Sequence, residues 1–355
     1  MVTRPALRLG AIAALLGIVA NIVLIALPLD LQTDLDWLFK LRGPRTAPDE
    51  VVIVGIDQDS ADRLGLPRLP KPWPRSQHAQ LVNKLTDQGA SVIVFDLYFE
   101  ESRNAEHDRL LAQAFRRAEN AILFSQLDKR QRAEKKNSPL QLFTEQQFAP
   151  IRELAQAAAG WGPFPLPKTS ATVTSFWLFK EEIDGIPTLP VVALQAYALE
   201  NCGVSPALLN DAAIADTTFS KHHSKPLLAL IKTLRSQIQS APQQAQTQLR
   251  LSDIGGCKQA IADALIAMYR GDNWRYLDFY GPASSISTVS YQRALHEPLD
   301  INGKAVFVGL LDPTLETRED DSFQTAFAQG DQALFGVEIA ATAFANLLEN
   351  RRVWT

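Results

Sequence analysis

The sequence predicts an α/β fold: a mostly parallel sheet flanked by helices, with a β-hairpin insertion, preceded by one transmembrane helix. Short apolar runs alternate with helix-like segments, which is the pattern of buried parallel strands joined by crossover helices. An Asp-Gly dipeptide between two short β-rich runs indicates a hairpin. The chain begins with an uncharged run of 21 residues, Leu9–Leu29. As a helix this run is about 31 Å long, enough to cross a bilayer.

Composition limits the class of protein. The chain has 355 residues, of which 46% are hydrophobic and 21% charged, and its formal net charge is −4. These values exclude wholesale disorder, and the length allows a sizeable core. The acidic balance and the lack of a basic run argue against a nucleic-acid partner. Two cysteines are too few for a disulfide-rich scaffold or a cysteine-rich metal site.

The N-terminal run predicts an anchor in the inner membrane at residues 9–29. Arg4 and Arg8 precede it, so the positive-inside rule places residues 1–8 in the cytoplasm and the chain after Asp30 in the periplasm or extracellular space. The alternative is a cleaved signal peptide. We favour the anchor because the apolar region is long for a signal and no small-x-small cleavage site follows it.

The first half of the chain supplies alternating strands and helices. Residues 30–42 place apolar side chains on one helical stripe, and Gly43-Pro44 ends this juxtamembrane helix. Residues 126–148 are charged and Gln-rich and are expected to form an exposed insertion. The elements predicted between these segments are a strand at Val51–Ile56, a helix at Ser76–Gln88, a strand at Ser91–Phe95, a helix at Ala105–Glu119 and a strand at Ala121–Ser125.

The second half contains shorter strands. Residues 204–255 have a weak pattern and suggest a helical excursion. The run 306–312 (VFVGLLD) echoes 52–57 (VIVGID), which suggests that the last strand joins the first sheet and that residues 43–350 form one domain. The elements predicted are a helix at 150–158, β runs at Trp161–Phe164, Thr172–Phe179 and Ile186–Leu189, helices at Pro190–Asn201 and Lys258–Arg270, strands at Tyr276–Tyr280 and Ala305–Leu310, and, after Gly336, a final amphipathic helix at Val337–Asn350.

Motifs for chemistry are mostly missing from the sequence. It has no phosphate loop, no dinucleotide-binding glycine pattern, no H-E-x-x-H, no C-x-x-C and no nucleophile elbow. We therefore predict no cofactor, no metal site and no catalytic residue.

Polar residues at the ends of predicted strands give the best candidate ligand site. Asp57 and Asp96 each follow a predicted parallel strand, at the edge where α/β sheets collect ligands. If these strands are neighbours, the two acids lie side by side with Asp59 and Glu100 near, and the cluster can hold a divalent cation or a cationic ligand. We predict that a chemical stimulus binds near Asp57, Ser60, Arg75 and Asp96. The alternative is that both acids cap turns.

Arg75 has two interpretations as well. It can pair with the two acids or bind an anion. In the alternative interpretation, Trp73 is a partly buried anchor for the loop and Ser76 is the N-cap of the next helix.

The two cysteines flank predicted helices. Cys202 closes one helix and Cys257 opens another, in a compartment where disulfides persist. A bridge would close a loop of about 55 residues, worth about 4 kcal/mol on the chain-entropy model. The alternative is two free buried thiols.

The order of the segments resembles the second type of CHASE domain, an extracellular sensor associated with cyclases and histidine kinases. The likeness covers nearly the whole chain apart from 126–148 and 204–255, and it is the order of the pieces that is specific. The matching pieces are 36–44 (DWLFKLRGP), 52–60 (VIVGIDQDS), 73–76 (WPRS), 89–99 (GASVIVFDLYF), 106–108 (EHD), 280–282 (YGP), 303–309 (GKAVFVG) and 336–339 (GVEI).

The resemblance implies a sensory role. The chain would be the extracytoplasmic input domain of a bacterial transmembrane receptor, and would relay a small-molecule or protein stimulus to a cytoplasmic cyclase or kinase that these residues do not contain. Residues 351–355 place a tryptophan beside arginines and suggest the start of a second membrane segment. The alternatives are a membrane-anchored structural or dimerisation module and, less favoured, a metal-dependent hydrolase that uses Asp57 and Asp96.

A sensor of this kind needs its entry and exit helices to communicate. We expect residues 30–42 and 337–350 to lie near each other, and we expect a homodimer. The residues predicted at helix contacts, within one chain or across the dimer, are Leu35, Leu38, Phe39, Ile339, Ala343 and Leu347. The alternative for the last helix is plain core packing against the sheet.

Overall fold

The structure is a computed structural model of the chain. It describes residues 31–131, 143–167, 172–202, 224–240, 259–315, 322–328, 333–351 and 353. The predicted membrane span at 9–29 and Cys257 lie outside these ranges. None of the helices in the described ranges is long and apolar enough to cross a bilayer.

The strands of the described ranges are short. They are β1 (Val51–Ile56), β2 (Val92–Phe95), β3 (Ala121–Phe124), β4 (Gln126–Gln131), β5 (Phe143–Phe148), β6 (Gly160–Gly162), β7 (Ser175–Trp177), β8 (Phe179–Lys180), β9 (Ile186–Pro187), β10 (Trp274–Tyr276), β11 (Ser287–Ser290), β12 (Ala305–Leu310), β13 (Ser322–Phe323) and β14 (Leu334–Phe335).

The α-helices in the same ranges vary from 6 to 17 residues. They are α1 (Leu31–Arg42), α2 (Gln58–Leu64), α3 (Arg75–Asp87), α4 (Ala105–Ala118), α5 (Arg152–Ala157), α6 (Leu189–Cys202), α7 (Ser224–Ser240), α8 (Gln259–Arg270), α9 (Tyr291–His296) and α10 (Gly336–Leu348).

Six strands form the central parallel sheet, in the order β11–β1–β12–β2–β3–β6. The prediction that the last long strand joins the first sheet is confirmed, because β12 pairs with β1 from Val51↔Ala305 to Ile56↔Leu310. The strand β12 also pairs with β2. The strands β1 and β2, which would have to be neighbours for Asp57 and Asp96 to lie side by side, are therefore separated by one strand.

Helices cover both faces of the sheet. Alternate side chains of each strand point to opposite faces, so the core divides into two clusters. Val52, Val54 and Ile56 pack with α3, α4, α5 and α9 on one face. Val51 and Ile53 pack with α1, α6, α7, α8 and α10 on the other. This two-layer cover explains why β1, β2 and β12 are continuous apolar runs.

The last helix, α10, is enclosed on all sides. All thirteen of its residues are buried, because it packs on β1 and β12 and also touches α6 and α8. The position of the final helix was predicted correctly. The prediction that it is amphipathic is wrong, because no face of the helix is exposed to solvent.

Local structure confirms some boundaries and corrects others. The predicted Asp-Gly hairpin is confirmed, since Asp184 and Gly185 both have positive φ between the antiparallel strands β8 and β9. The insertion at 126–148 contains the antiparallel pair β4–β5, which the sequence pattern did not predict. The strand predicted at 276–280 ends at Tyr276 and pairs with β7, outside the central sheet.

Candidate functional site

A cleft of about 850 Å³ lies at the carboxyl ends of β11, β1 and β12. The chain leaves β1 toward α2, on one face of the sheet, and leaves β12 toward α10, on the other. In open α/β sheets, the place where neighbouring strands connect to opposite faces opens a crevice that collects ligands. We call this crevice the strand-end cleft. Its polar lining comprises Asp57, Gln58, Asp59, Ser284, Thr288, Ser290, Asp312, Thr314 and Glu338.

Asp57 caps α2 at one wall of the cleft. Its Oδ1 accepts a hydrogen bond of 2.8 Å from the backbone N–H of Ser60. The turn-capping interpretation of this acid is therefore confirmed, and the same residue lines the cleft. Asp57 is only partly buried.

Asp312 is a buried carboxylate held by an arginine. Arg68 donates three hydrogen bonds to it, from Nε to Oδ2 at 2.8 Å, and from Nη2 to Oδ1 at 2.7 Å and to Oδ2 at 2.6 Å. Thr314 adds its backbone N–H at 3.0 Å and its hydroxyl at 2.8 Å. The Asp312 side chain is 1% exposed and that of Arg68 is 37% exposed. This bidentate pair fixes the loop that follows β12.

Glu338 connects the cleft to the first turn of α10. Its carboxylate accepts hydrogen bonds from the backbone N–H of Ser284 at 2.8 Å and of Phe335 at 3.0 Å. Burial raises the pKa of Glu338, and the two backbone bonds oppose that rise. Ser284 has a φ of 65°, a left-handed conformation that costs energy for a residue other than glycine. Glu338 thus holds a strained loop against the exit helix.

Ser60, a predicted ligand residue, serves packing instead. It is fully buried, and its hydroxyl accepts the backbone N–H of Gln292 at 3.0 Å. This bond joins α2 to the start of α9. Ser60 is 3 residues from Asp57 but is not part of the cleft lining.

Arg75 is also buried and bonded to groups inside the protein. It is 4% exposed, and it donates to Asp108 at 2.5 Å and to the backbone oxygen of Glu101 at 2.5 Å. Burial raises the pKa of Asp108, but hydrogen bonds from Ser102 and Arg75 outweigh it and lower the pKa overall. The expectation that Arg75 pairs with Asp57 or Asp96 is wrong, because Asp108 occupies its guanidinium.

The loop before Arg75 matches the alternative interpretation in part. Trp73 is a buried anchor, 2% exposed, whose Nε1 donates to the backbone oxygen of Pro67 at 2.6 Å. Ser76 is not the N-cap, because α3 begins one residue earlier, directly after the extended Pro74.

Asp96 lies on the far side of β12 from Asp57. Its backbone N–H donates to Val308 at 2.8 Å, so it sits beside the end of β12. Two strand spacings, about 10 Å, separate it from the backbone of Asp57. Burial raises the pKa of Asp96 to about 7. The expected pair of Asp57 and Asp96 does not form. The hydrolase alternative was based on that pair, so the structure gives no support to it from these two residues.

Groups able to hold a metal ion are not found among the described residues, where no cluster of three or more His, Cys, Asp or Glu side chains occurs. The carboxylates of the cleft are instead bonded to protein donors. Asp59, for example, pairs with Arg63 at 2.8 Å.

A second polar cluster joins the chain entering the domain to the chain leaving it. Its centre is Asp278, 7% exposed, which forms ion pairs with Arg42 and, at 3.1 Å, with Arg45. Asn346 of α10 bonds both backbone groups of Asp278, accepting its N–H at 2.8 Å and donating to its oxygen at 3.1 Å. We call this cluster the entry–exit network: Arg42, Arg45, Asp278, Tyr280, Asn346 and Glu349.

The C-terminal end of α10 completes this network. Glu349 accepts from Arg45 at 3.2 Å and from the Tyr280 hydroxyl at 2.7 Å. Burial, with the nearby Glu349 carboxylate, raises the pKa of Tyr280. Arg45 also stacks over the Tyr280 ring at 4.0 Å. The end of α1 and the end of α10 are therefore held by the same short segment, 278–280.

The cleft and the network lie at opposite ends of α10. Residue 284 contacts Glu338, and residue 278 contacts Asn346, so the segment 278–284 runs antiparallel along the helix. Eight residues separate the two contacts on α10, about 12 Å along its axis. One buried helix therefore touches both polar sites.

The predicted helix contacts are found in part. Leu35 and Phe39 are buried in the same core cluster as Ile339, Ala343 and Leu347, and Phe39 packs against Phe279 at 6.1 Å between ring centres. Leu38 is 57% exposed and points away from this core. Any contact that it makes across a dimer stays a prediction.

Sequence reasoning missed Arg68, Asp312, Glu338 and the entry–exit network. Weak signals existed for each. Asp312 ends the run that echoes Asp57, and Asp278 and Asn346 are lone polar residues in apolar surroundings. Such residues need partners when buried, but the sequence does not identify those partners.

The predicted disulfide stays a prediction. Cys202 is the last residue of α6 and is 5% exposed. Cys257 lies outside the described residues.

Comparison with protein families matches the chain to the CHASE2 domain over residues 11–355, nearly its whole length. Comparisons with curated proteins and with solved structures found no significant match.

Proposed function

Since the chain belongs to the CHASE2 domain family, we propose that it is the extracytoplasmic input domain of a bacterial membrane receptor. The observation that carries this proposal is the family match over residues 11–355, because CHASE2 domains are extracellular sensory domains. The output, a nucleotide cyclase or a kinase, would lie in the cytoplasm and in a different part of the receptor. The domain itself would bind and signal rather than catalyse.

The sequence supports the proposed location. Residues 1–29 carry two arginines and no acid, and the uncharged run Leu9–Leu29 has the length of a bilayer span. The arginines would keep the N-terminus in the cytoplasm and place residues 30–355 on the other side of the inner membrane.

The strand-end cleft is where we propose that a small-molecule stimulus binds. It has the volume of a ligand site, about 850 Å³, and it lies at the switch point of the sheet. Of the four residues expected at the site, only Asp57 lines it. The proposed site is therefore formed by Asp57, Asp312, Thr314, Ser284 and Glu338 rather than by Ser60, Arg75 and Asp96.

Transmission would use α10. A ligand can shift a receptor only if it binds two states unequally, and Glu338 places the first turn of α10 in the wall of the cleft. At its other end α10 is tied to Arg45 through Glu349 and to Asp278 through Asn346. A displacement of this enclosed helix would change how the entry and exit segments are held.

The location can be tested with reporter fusions in cells. Alkaline phosphatase, which folds only in an oxidising compartment, is fused after Arg8, after Gly43 and after Arg351 of the chain. We expect activity at the two later positions and none after Arg8. Green fluorescent protein at the same three positions is the matched control and should give the opposite pattern. Phosphatase that is inactive after Gly43 and Arg351, with fluorescent protein active there, contradicts the proposal.

A further inference from the structure

The juxtamembrane helix α1 carries an apolar surface that the domain does not cover. Trp37 is 70% exposed, Leu38 57% and Leu41 86%. At 100° per residue, these three side chains occupy about 100° of the helix surface. We call them the α1 strip. In the described part of the chain only two other large apolar residues are exposed, Leu69 and Trp274.

Core packing does not account for the α1 strip. The opposite face of α1 already serves the core, where Leu35 and Phe39 are 2% and 5% exposed. Arg42 fixes the end of the helix by its bonds to Asp278 and to the backbone of Phe279. With its inner face bound in this way, α1 cannot rotate to bury the strip. A contiguous exposed apolar surface on a folded domain marks a contact with another molecule.

We propose that the α1 strip is the contact surface for the α1 strip of a second copy of this chain. The inference rests on the proposed membrane anchoring. The uncharged run ends at Leu29, and α1 begins at Leu31. Two anchored copies therefore have their α1 helices parallel in direction and at the same height above the bilayer. In that arrangement each strip meets its own counterpart, as a two-fold dimer requires.

The size of the strip fits an interface between tethered copies. Three side chains offer far less than the ~800 Å² per partner of a standard stable interface. Two free domains would not associate through such a surface. Copies confined to one membrane meet at a high effective concentration, which allows a weak contact to be occupied.

Charge argues against a lipid surface as the occupant. Interfacial helices carry an excess of Lys and Arg that attracts anionic headgroups. Residues 30–42 contain Asp30, Asp34 and Asp36 against Lys40 and Arg42. The Arg42 guanidinium is already engaged by Asp278. Within α1 itself two acids balance two cations, and one of those cations is already engaged, so the helix lacks the basic excess of a bilayer-bound helix and fits a second protein copy better.

Site-specific photocrosslinking tests the dimer. The full chain is expressed in membranes with a benzophenone amino acid in place of Leu41, and copies with two different epitope tags are coexpressed. We expect a product of twice the chain mass that carries both tags. The matched control places the same probe at Leu69, which is 46% exposed and outside α1. Its dimer yield should be about tenfold lower or less, since no membrane-defined pairing brings two Leu69 side chains together.

Each alternative outcome overturns the inference. Adducts of the Leu41 probe with lipid, found by mass spectrometry, would identify the bilayer as the occupant. Equal dimer yields at the two positions would show random collision, and a chain without any adduct would show an uncovered strip. If the reporter fusions still place residues 30–355 outside the cytoplasm, only this inference fails and the proposed function stands.

A charge substitution gives a second test that does not depend on the probe. Leu41→Glu places two carboxylates against each other in the dimer, and like charges that face each other across an interface oppose association. With the probe at Trp37, we expect the dimer yield to fall about tenfold, which corresponds to 1.4 kcal/mol. Leu69→Glu is the control and should leave the yield unchanged. An unchanged yield in Leu41→Glu contradicts the proposal.

Discussion

At the scale of single residues, two arginine–aspartate pairs beside the cleft differ mainly in burial. Arg68 holds the buried Asp312, whereas Arg63 holds the exposed Asp59. Removing one partner of a buried pair leaves an uncompensated charge, which costs 3–5 kcal/mol in well-buried cases. We expect Arg68→Met to lower the free energy of unfolding by about 3 kcal/mol. This value is at the low end of that range because the Arg68 side chain is partly exposed.

The matched variant is Arg63→Met. Its carboxylate partner stays hydrated, so we expect a much smaller loss. Urea denaturation of both variants measures the difference. Equal losses in the two variants would show that the Asp312 pair does not hold the loop after β12.

Asp96 predicts a pH dependence of stability. Its folded-state pKa of about 7 lies above the unfolded value of about 3.9. Between these values the native state holds a proton that the unfolded chain has lost, so the free energy of unfolding falls as pH rises. The substitution Asp96→Asn removes the titrating carboxyl, so the variant does not lose this part of its stability as pH rises. We expect the variant to gain about 2 kcal/mol relative to wild type between pH 5 and pH 8.

Denaturation at both pH values checks this expectation. If the curves of Asp96→Asn and wild type stay parallel from pH 5 to pH 8, the carboxyl of Asp96 is not protonated in the native domain.

At the scale of elements, β12 and α10 meet without space for a methyl group. A Cβ at position 309 would lie 2.6 Å from Cβ of Val337 and 3.3 Å from Cβ of Asp96. We expect Gly309→Ala to displace the first turn of α10 and to cost about 1–3 kcal/mol of stability. The variant Gly309→Ala with Val337→Ala should recover stability relative to Gly309→Ala with intact Val337, since it restores the space. A thermal-unfolding comparison in which Val337→Ala only adds to the loss would contradict this close contact.

Sequence patterns predicted the long elements and missed the short polar ones. The strands β1, β2 and β12 are continuous apolar runs because both faces of the sheet are covered, and that signal is local. The edge strand β11 (STVS) has no such run, and β4 (QLDKRQ) reads as an exposed loop. Their strand character comes from pairing with distant partners, which composition does not encode.

At the scale of the whole molecule, the order of strands in the central sheet determines which residues line the strand-end cleft. Asp57 and Asp96 were correctly placed at strand ends, but β12 arrives more than 200 residues later and inserts between them. The acid that lies next to Asp57 is therefore Asp312, and the helix beyond it supplies Glu338. The resemblance to the sensor family was more informative than any single motif, because it depended on the order of segments rather than on local chemistry.

The cysteine prediction also belongs to this scale. A bridge between Cys202 and Cys257 would tie α6 to the segment before α8, and we expect its reduction to cost about 4 kcal/mol. Thiol labelling of the unfolded, unreduced chain decides between bridge and free thiols. Two labelled cysteines would contradict the bridge, and none is expected.

The helix α10 connects the strand-end cleft to the entry–exit network, since Glu338 lines the cleft and Asn346 bonds to Asp278. Hydrogen exchange on the full chain in membranes tests this without a ligand. Glu338→Gln keeps the side-chain shape but loses one acceptor for the backbone N–H groups of Ser284 and Phe335. We expect protection to fall near residue 338 and also at 278–280 and 345–349, about 12 Å away along the helix. Asp59→Asn, in the same cleft but bonded to Arg63 rather than to α10, should leave all these amides unchanged. Loss of protection confined to residues around 284 and 335–338, with 278–280 and 345–349 as in wild type, would contradict the connection.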